Sequence, residues 1–235
     1  KINKMKVVIL CGGLGSRLAE ETKLIPKPMV KIGNIPIVQH IINFYKKFGL
    51  TEFILATGYK KEVLEKYYKD SKKIKCIFTG KNTLTGGRLL RLKKYFKKNE
   101  NFLMTYGDGL SDQNINSLLK FHLKHKKTAT LTSVNPPARF GEVLIKGNNV
   151  VKFQEKVQLK KNWINGGFFV FNYKIFNYIS GDKIMLEREP FQKLTRRKEL
   201  KAFKHFGFWQ CMDTMRDKNV LNKLWKDKKA PWVKI

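Results

Sequence analysis

Val7-Val8-Ile9-Leu10-Cys11 runs without a charged residue into Gly12-Gly13-Leu14-Gly15-Ser16-Arg17, and Pro26-Lys27-Pro28 follows nine residues after Arg17. An apolar, β-branched run of this kind suits a central strand buried on both faces of a parallel sheet. The glycines that end it let the backbone turn sharply and bring N–H groups toward an anion with no Cβ in the way. Arg17 and Lys27 add full positive charge. Together these residues read as a phosphate-binding loop after a buried strand. Two better-known glycine loops are excluded. A dinucleotide fingerprint needs glycine where Leu18 stands, and a Walker A loop needs Gly-Lys followed by Ser or Thr. A plain structural turn flanked by surface cations uses the same residue types, so the loop by itself leaves both readings open.

Outward from this strand, short apolar runs alternate with helical patterns. Strands are expected near 6–11, 52–57, 74–79, 101–106 and 128–134, with helices near 36–48, 60–69, 86–97 and 112–126 between them. Such a βα repeat predicts a three-layer α/β fold with a Rossmann-like, mixed but mainly parallel sheet. Ile35, Ile37, Val38, Ile41, Ile42 and Tyr45 recur at helical intervals before Gly49, which gives that helix a core face. The second half changes character. Val143-Leu144-Ile145 and Val150-Val151-Lys152-Phe153 flank Gly147-Asn148-Asn149, a hairpin signature that implies antiparallel pairing beside the main sheet. A strand near 164–171, a short helix near 187–196, strands around 201–211 and a helix near 214–225 follow.

The chain has 235 residues, enough for one α/β domain with a full core. No apolar stretch approaches the roughly 20 residues of a membrane span, and no signal pattern opens the chain, so a cytoplasmic protein with no membrane insertion is expected. Cys11, Cys76 and Cys211 are widely separated with no C-x-x-C pair, which points away from a disulfide framework or a zinc site. The net charge of +31 raises nucleic acid or another polyanion as a partner. Its distribution points elsewhere, because lysine pairs such as Lys60-Lys61, Lys97-Lys98 and Lys160-Lys161 are scattered through every segment. Charge runs of this sort are solvated faces, and no specific nucleic-acid partner is expected.

Asp108 stands between two glycines after the apolar run Phe102-Leu103-Met104-Thr105-Tyr106. That puts it at the carboxyl edge of the sheet, where open α/β folds bind ligands. A carboxylate there repels a polyphosphate unless a metal lies between them. Turn formation is the plainer reading of Asp108, and helix capping that of Asp213 before Thr214. Arg88 opens a helical pattern, where it can serve an anion or remain a surface arginine. Tyr106, Phe208 and Trp209 suit either stacking on a ligand or core packing. His40, His122, His125 and His205 fit no catalytic pattern.

The block G-G-x-G-S-R-L, seven residues, then P-K-P resembles the signature of the sugar-1-phosphate nucleotidyltransferases. Further motifs, in order, are similar to the glucose-1-phosphate cytidylyltransferase branch: Thr85-Gly86-Gly87-Arg88-Leu89, Thr105-Tyr106-Gly107-Asp108-Gly109, Pro136-Pro137-Ala138-Arg139-Phe140-Gly141, Phe153-Gln154-Glu155-Lys156, Ile164-Asn165-Gly166-Gly167 and Gly207-Phe208-Trp209-Gln210-Cys211-Met212-Asp213-Thr214. The likeness runs from Met5 to about Trp232. It implies the nucleotide-diphospho-sugar transferase fold in one domain over 5–232, with a nucleotide-binding half at about 5–135 and a sugar-phosphate-binding half at about 136–232. It also implies CTP and α-D-glucose 1-phosphate as substrates, CDP-glucose and pyrophosphate as products, Mg²⁺ as cofactor and a role in surface-polysaccharide synthesis. Leu10, Cys11, Gly12, Gly13, Leu14, Gly15 and Ser16 then hold base and phosphates, joined by Thr83, Thr85, Arg88 and Gly107. Arg17 and Lys27 meet the reacting phosphates, with Asp108 as the third catalytic residue. Asp108 and Asp213 hold the metal, and Glu155, Lys156, Asn165 and Gly166 contact the sugar phosphate.

The chain departs from that pattern in places. Val157 replaces the proline usual after Glu-Lys, and Cys11 and Cys211 stand where alanine and proline are usual. The stretch from Tyr68 to Thr85 crosses in about sixteen residues where the branch carries a longer lobe near the active site and between subunits. A homo-oligomer smaller than in relatives is therefore expected. Two alternatives stand beside the main expectation: a cytidylyltransferase for another sugar or polyol phosphate, and a non-catalytic nucleotide- or polyanion-binding protein on the same fold.

Overall fold

The structure, a computed structural model, describes residues 5–136, 141–154 and 163–234. Its elements in chain order are β1 (Lys6–Cys11), α1 (Ala19–Thr22), β2 (Lys31–Ile32), β3 (Ile35–Pro36), α2 (Ile37–Lys46), β4 (Glu52–Thr57), α3 (Lys61–Tyr67), β5 (Ile74–Phe78), α4 (Thr85–Arg91), β6 (Asn101–Tyr106), β7 (Gly109–Ser111), α5 (Ile115–His125), β8 (Ala129–Val134), β9 (Glu142–Lys146), β10 (Asn149–Gln154), β11 (Ile164–Asn172), α6 (Glu189–Arg196), β12 (Leu200–His205), β13 (Trp209–Cys211) and α7 (Met215–Lys226). Seven of the strands form one sheet in the order β12-β8-β11-β6-β1-β4-β5. All neighbours run parallel except β11, which is antiparallel to both β6 and β8. The expected mixed, mainly parallel sheet is present, and β9 and β10 pair as the hairpin beside it.

The β1 run explains the centre of the fold. Val7, Val8, Ile9 and Cys11 are all completely buried, with alternate side chains entering opposite layers. Val7, Ile9 and Cys11 pack with α2, α3, α5 and α7. Val8 packs on the other face, with Leu89 of α4, Leu194 of α6 and the phenylalanines of β6 and β11. Each such fully buried Val or Ile contributes roughly 1.5–3 kcal/mol relative to exposure, so this strand anchors both layers.

The parallel strands deliver their carboxyl ends, Cys11, Thr57, Phe78 and Tyr106, to one edge. Because β11 is reversed, its first residues arrive at that same edge, where Ile164 and Asn165 pair with Val134 and Ser133. A short antiparallel ladder between β7 and β13 lies just beyond it. The Met212 N–H donates to the Asp108 carbonyl at 2.8 Å, which draws the segment after β13 up against the end of β6.

Candidate active site

The glycine loop is fastened from behind. The Arg88 side chain is 5 % exposed, and Nη1 donates to the Gly80 carbonyl at 2.7 Å, to Thr79 Oγ1 at 3.0 Å and to the Thr57 carbonyl at 3.2 Å. Nη2 donates to the Gly12 carbonyl at 2.8 Å. One guanidinium thus ties together the segments that follow β1, β4 and β5. A Cβ on Gly12 would fall 2.1 Å from Nη1, so the loop approaches this brace only as glycine. Gly15 has φ of 68°, a left-handed conformation that suits residues without a Cβ, and its carbonyl accepts from the Leu18 N–H at 2.9 Å and from Thr22 Oγ1 at 3.1 Å. Of the two sequence readings of Arg88, the surface one is set aside. Its charge faces carbonyl oxygens, although its stem still lines the cavity in front.

That cavity, of about 270 Å³, opens at the carboxyl edge of the sheet. Leu10, Gly12, Gly13, Gly15, Lys27, Thr83, Thr85, Arg88, Gly107 and Asp108 line it, as do Pro28, Leu84, Tyr106 and Met185. Most of the residues singled out from sequence for the nucleotide therefore meet on one wall. Cys11, Leu14, Ser16 and Arg17 do not line it: Cys11 lies in the core beneath, and Leu14 is 57 % exposed. Leu84 and Met185, which add an apolar wall, carried no motif in the sequence.

The charges meet at Lys27. A 3₁₀ turn over Lys27–Met29, with proline on both sides of the lysine, aims Nζ at Asp108 Oδ2 and Asp213 Oδ1, both at 2.6 Å. Arg17 Nη1 lies 2.9 Å from Asp213 Oδ2. Burial opposes the charge on Lys27, yet Asp108 and then Asp213 hold its pKa above the ordinary lysine value. Burial likewise pushes the Asp213 carboxyl up, but the hydrogen bond and charge of Lys27, with Arg17 behind them, hold it below the usual range. The capping reading of Asp213 fails on geometry. Thr214 is the N-cap of α7, and Asp217 completes the capping box by accepting from the Thr214 N–H at 2.9 Å. The Asp213 carboxylate is thereby left to the cations. Asp108 also turns its carboxylate to Lys27 rather than to its own turn.

Two carboxylates that reach one cation, with hard oxygen donors only, suit a Mg²⁺ ion that takes its remaining ligands from phosphate and water. Among the described residues there is no cluster of three or more His, Cys, Asp or Glu side chains able to hold a metal. Any such ion is therefore held jointly with a bound phosphate.

On the far side of Tyr106, Asn165 Nδ2 donates to the Tyr106 hydroxyl at 3.3 Å, and Trp209 Nε1 donates to the Gly166 carbonyl at 2.7 Å. Phe208 stacks on the buried Trp232 with ring centroids 5.6 Å apart, so Phe208 and Trp209 support the site from the core and Tyr106 alone of the three faces the cavity. Glu155 and Lys156, expected at the sugar phosphate, lie outside the described residues. A carboxylate not singled out from sequence, Glu187, accepts hydrogen bonds from the Tyr106 hydroxyl and, at 2.6 Å, from Thr85 Oγ1. Its place just before the helix-opening Glu189-Pro190 pair hid it.

An anion-directed loop beside paired carboxylates, at the ligand edge of an α/β sheet, equips a protein to handle nucleoside phosphates. The chain belongs to the nucleotidyl transferase family, whose model matches residues 6–227. It is 44 % identical to a glucose-1-phosphate cytidylyltransferase of Salmonella typhimurium, over 97 % of this chain and 98 % of that protein. That alignment runs over 253 positions, more than the 235 residues here, so the Salmonella protein carries residues this chain lacks. Among solved structures, a UDP-glucose pyrophosphorylase complexed with UDP-glucose shares the fold with a TM-score of 0.73 and 16 % identity, over 95 % of this chain and 99 % of that one. The inositol-1-phosphate CTP transferase of T. maritima does so with a TM-score of 0.70 and 19 % identity, over 95 % and 96 %. The α/β sheet read from the sequence is thus the nucleotide-diphospho-sugar transferase fold.

Proposed function

We propose that the chain joins CTP and α-D-glucose 1-phosphate into CDP-glucose, with release of pyrophosphate and with Mg²⁺ as cofactor. The observation that carries the reaction type is Lys27 held between Asp108 and Asp213 at the mouth of the glycine-loop cavity. The near full-length likeness to the Salmonella enzyme supports the choice of substrates. In this reaction a sugar-phosphate oxygen attacks the α-phosphorus in line, so no protein nucleophile is required. The protein has to offset repulsion between two polyanions and stabilise charge on the leaving pyrophosphate. The glycine backbone of Gly12, Gly13 and Gly15 lines the cavity that takes the phosphates, and Arg17, 73 % exposed at its side chain and paired with Asp213, adds positive charge beside it. Lys27 supplies a compact point charge next to the reacting phosphorus. Asp108 and Asp213 hold the metal, which when bound draws charge from the leaving oxygens. Asn165 and Gly166, with Glu155 and Lys156, belong to the acceptor side.

A non-catalytic sensor on this fold has no need of both carboxylates beside the lysine. A cytidylyltransferase for another sugar or polyol phosphate keeps a specific support, because only six residues separate α3 from β5, within the stretch where the resemblance implies a longer lobe in the branch. One assay decides: pyrophosphate release measured with each of the four nucleoside triphosphates against a panel of sugar and polyol phosphates. Turnover with CTP and glucose 1-phosphate alone is the expected result. No release with any pair sinks the enzymatic reading, and release with CTP and a different phosphate corrects the acceptor.

A further inference from the structure

We propose that Glu187 is a positioning residue that couples the nucleotide side of the site to the acceptor side, an inference that rests on the division of the site given above. Glu187 does not line the cavity, and among the described residues no salt bridge neutralises it. A half-buried carboxylate behind a pocket built for polyphosphate is electrostatically adverse unless its hydrogen bonds are needed.

The direction of those bonds is fixed, because an ionised carboxylate only accepts. Both hydroxyl hydrogens, of Thr85 and of Tyr106, therefore point at Glu187, and both hydroxyl oxygens are left as acceptors. Thr85 Oγ1 accepts from the Leu186 N–H at 2.9 Å. The Tyr106 hydroxyl accepts from Asn165 Nδ2, whose amide cannot flip because its Oδ1 accepts from the Gly167 N–H at 2.9 Å. Thr85 begins α4 on the nucleotide wall, Tyr106 ends β6, and Asn165 stands at the start of β11. One carboxylate thus sets the orientation of groups on three elements and on both halves of the site. Without it, each hydroxyl is free to turn, and Tyr106 no longer presents its lone pairs to Asn165.

Steady-state kinetics with each substrate varied in turn, on whichever pair the wild-type protein turns over, tests this. Tyr106→Phe should raise KM for the sugar phosphate several-fold and leave KM for the nucleotide within twofold. Thr85→Val should do the reverse. Glu187→Ala should raise both, and adding it to the Tyr106→Phe/Thr85→Val pair should change neither value further. Should Glu187→Ala fail to fold, Glu187→Gln keeps the shape. Its one carbonyl can serve only one hydroxyl, so a single KM should rise while thermal stability stays near wild type. Unchanged KM values in a folded Glu187 variant, or full additivity in the triple variant, overturns the proposal. A wild type without turnover refutes the enzymatic reading instead. Nucleotide affinity measured by calorimetry then still decides, since a Glu187→Ala protein that binds CTP as wild type does removes the coupling role.

Discussion

Lys27 is the residue on which the charges of the site converge, and its surroundings say how it should behave on titration. Its pKa is raised above 10.5, so what its contacts add to stability is complete below that value and is lost as pH rises through its folded pKa. Asp213, held below its ordinary 3.8, adds stability that is complete above about that value and is lost as pH falls through its depressed pKa. Between these limits the Lys27–Asp213 pair keeps both charges. Lys27→Met should therefore destabilise the protein at pH 7 by roughly 2 kcal/mol, less than the 3–5 of a fully buried broken pair because both partners retain some solvent. Urea unfolding at successively lower pH should show that gap closing as pH falls through the depressed pKa of Asp213. A gap that stays constant would place the lysine elsewhere. Asp108→Asn changes shape little and ligates a metal poorly. It should cut kcat roughly 10²–10³-fold, the cost typical of losing one group that stabilises transition-state charge. Circular dichroism should remain that of wild type, and unchanged turnover would remove Asp108 from the chemistry.

At the scale of elements, the Arg88 brace makes the ends of β1, β4 and β5 behave as one unit. Arg88→Met should leave the Gly80 carbonyl without its donor, at about 1–3 kcal/mol if water cannot reach it, while the Thr57 carbonyl keeps Thr79 and the Gly12 carbonyl keeps only the longer bond from the Tyr59 N–H. A melting temperature lower by several degrees and a weaker stabilisation by added CTP are expected in thermal scans. Arg88→Lys should not restore them, because one ammonium cannot reproduce a planar fork. Equal melting curves would show that the loops hold themselves. This brace was not legible in the sequence, which offered Arg88 as a surface or ligand residue. Its partners come from three separate segments, and no local pattern records them. Strands β1, β4 and β6 were legible because two-sided burial demands long apolar runs. The helix expected over 86–97 stops earlier, at Arg91. Beyond it the bonds from Leu92 to Leu89 and from Tyr95 to Leu92 tighten the chain into a 3₁₀ turn over Lys93–Tyr95. The β7–β13 ladder escaped notice for another reason: three residues are too few to show a period, yet this pairing brings Asp213 to Asp108. Lys27, Asp108 and the glycines were legible from motif spacing, whereas Glu187 was hidden inside a helix-start signal.

For the whole molecule, the charge of +31 sets an expectation for association. Like-charged surfaces repel over the Debye length of about 10 Å at 0.1 M salt, so the homo-oligomer we propose should grow as ionic strength rises. Light scattering at low and high salt checks this, and a mass independent of salt would show that charge does not control assembly. The reversed strand β11 gives the ligand edge of the sheet a different kind of freedom. A parallel neighbour would have required the chain to travel the length of the sheet and back between β8 and β11. Here it leaves at Val134 and re-enters opposite, at Ile164, on the side where ligands bind. The intervening stretch can therefore be lengthened, trimmed or exchanged between relatives without shifting the register of any strand. Under the function proposed above, acceptor choice becomes a cassette that mutation can swap, while the strands that carry the nucleotide apparatus stay in place.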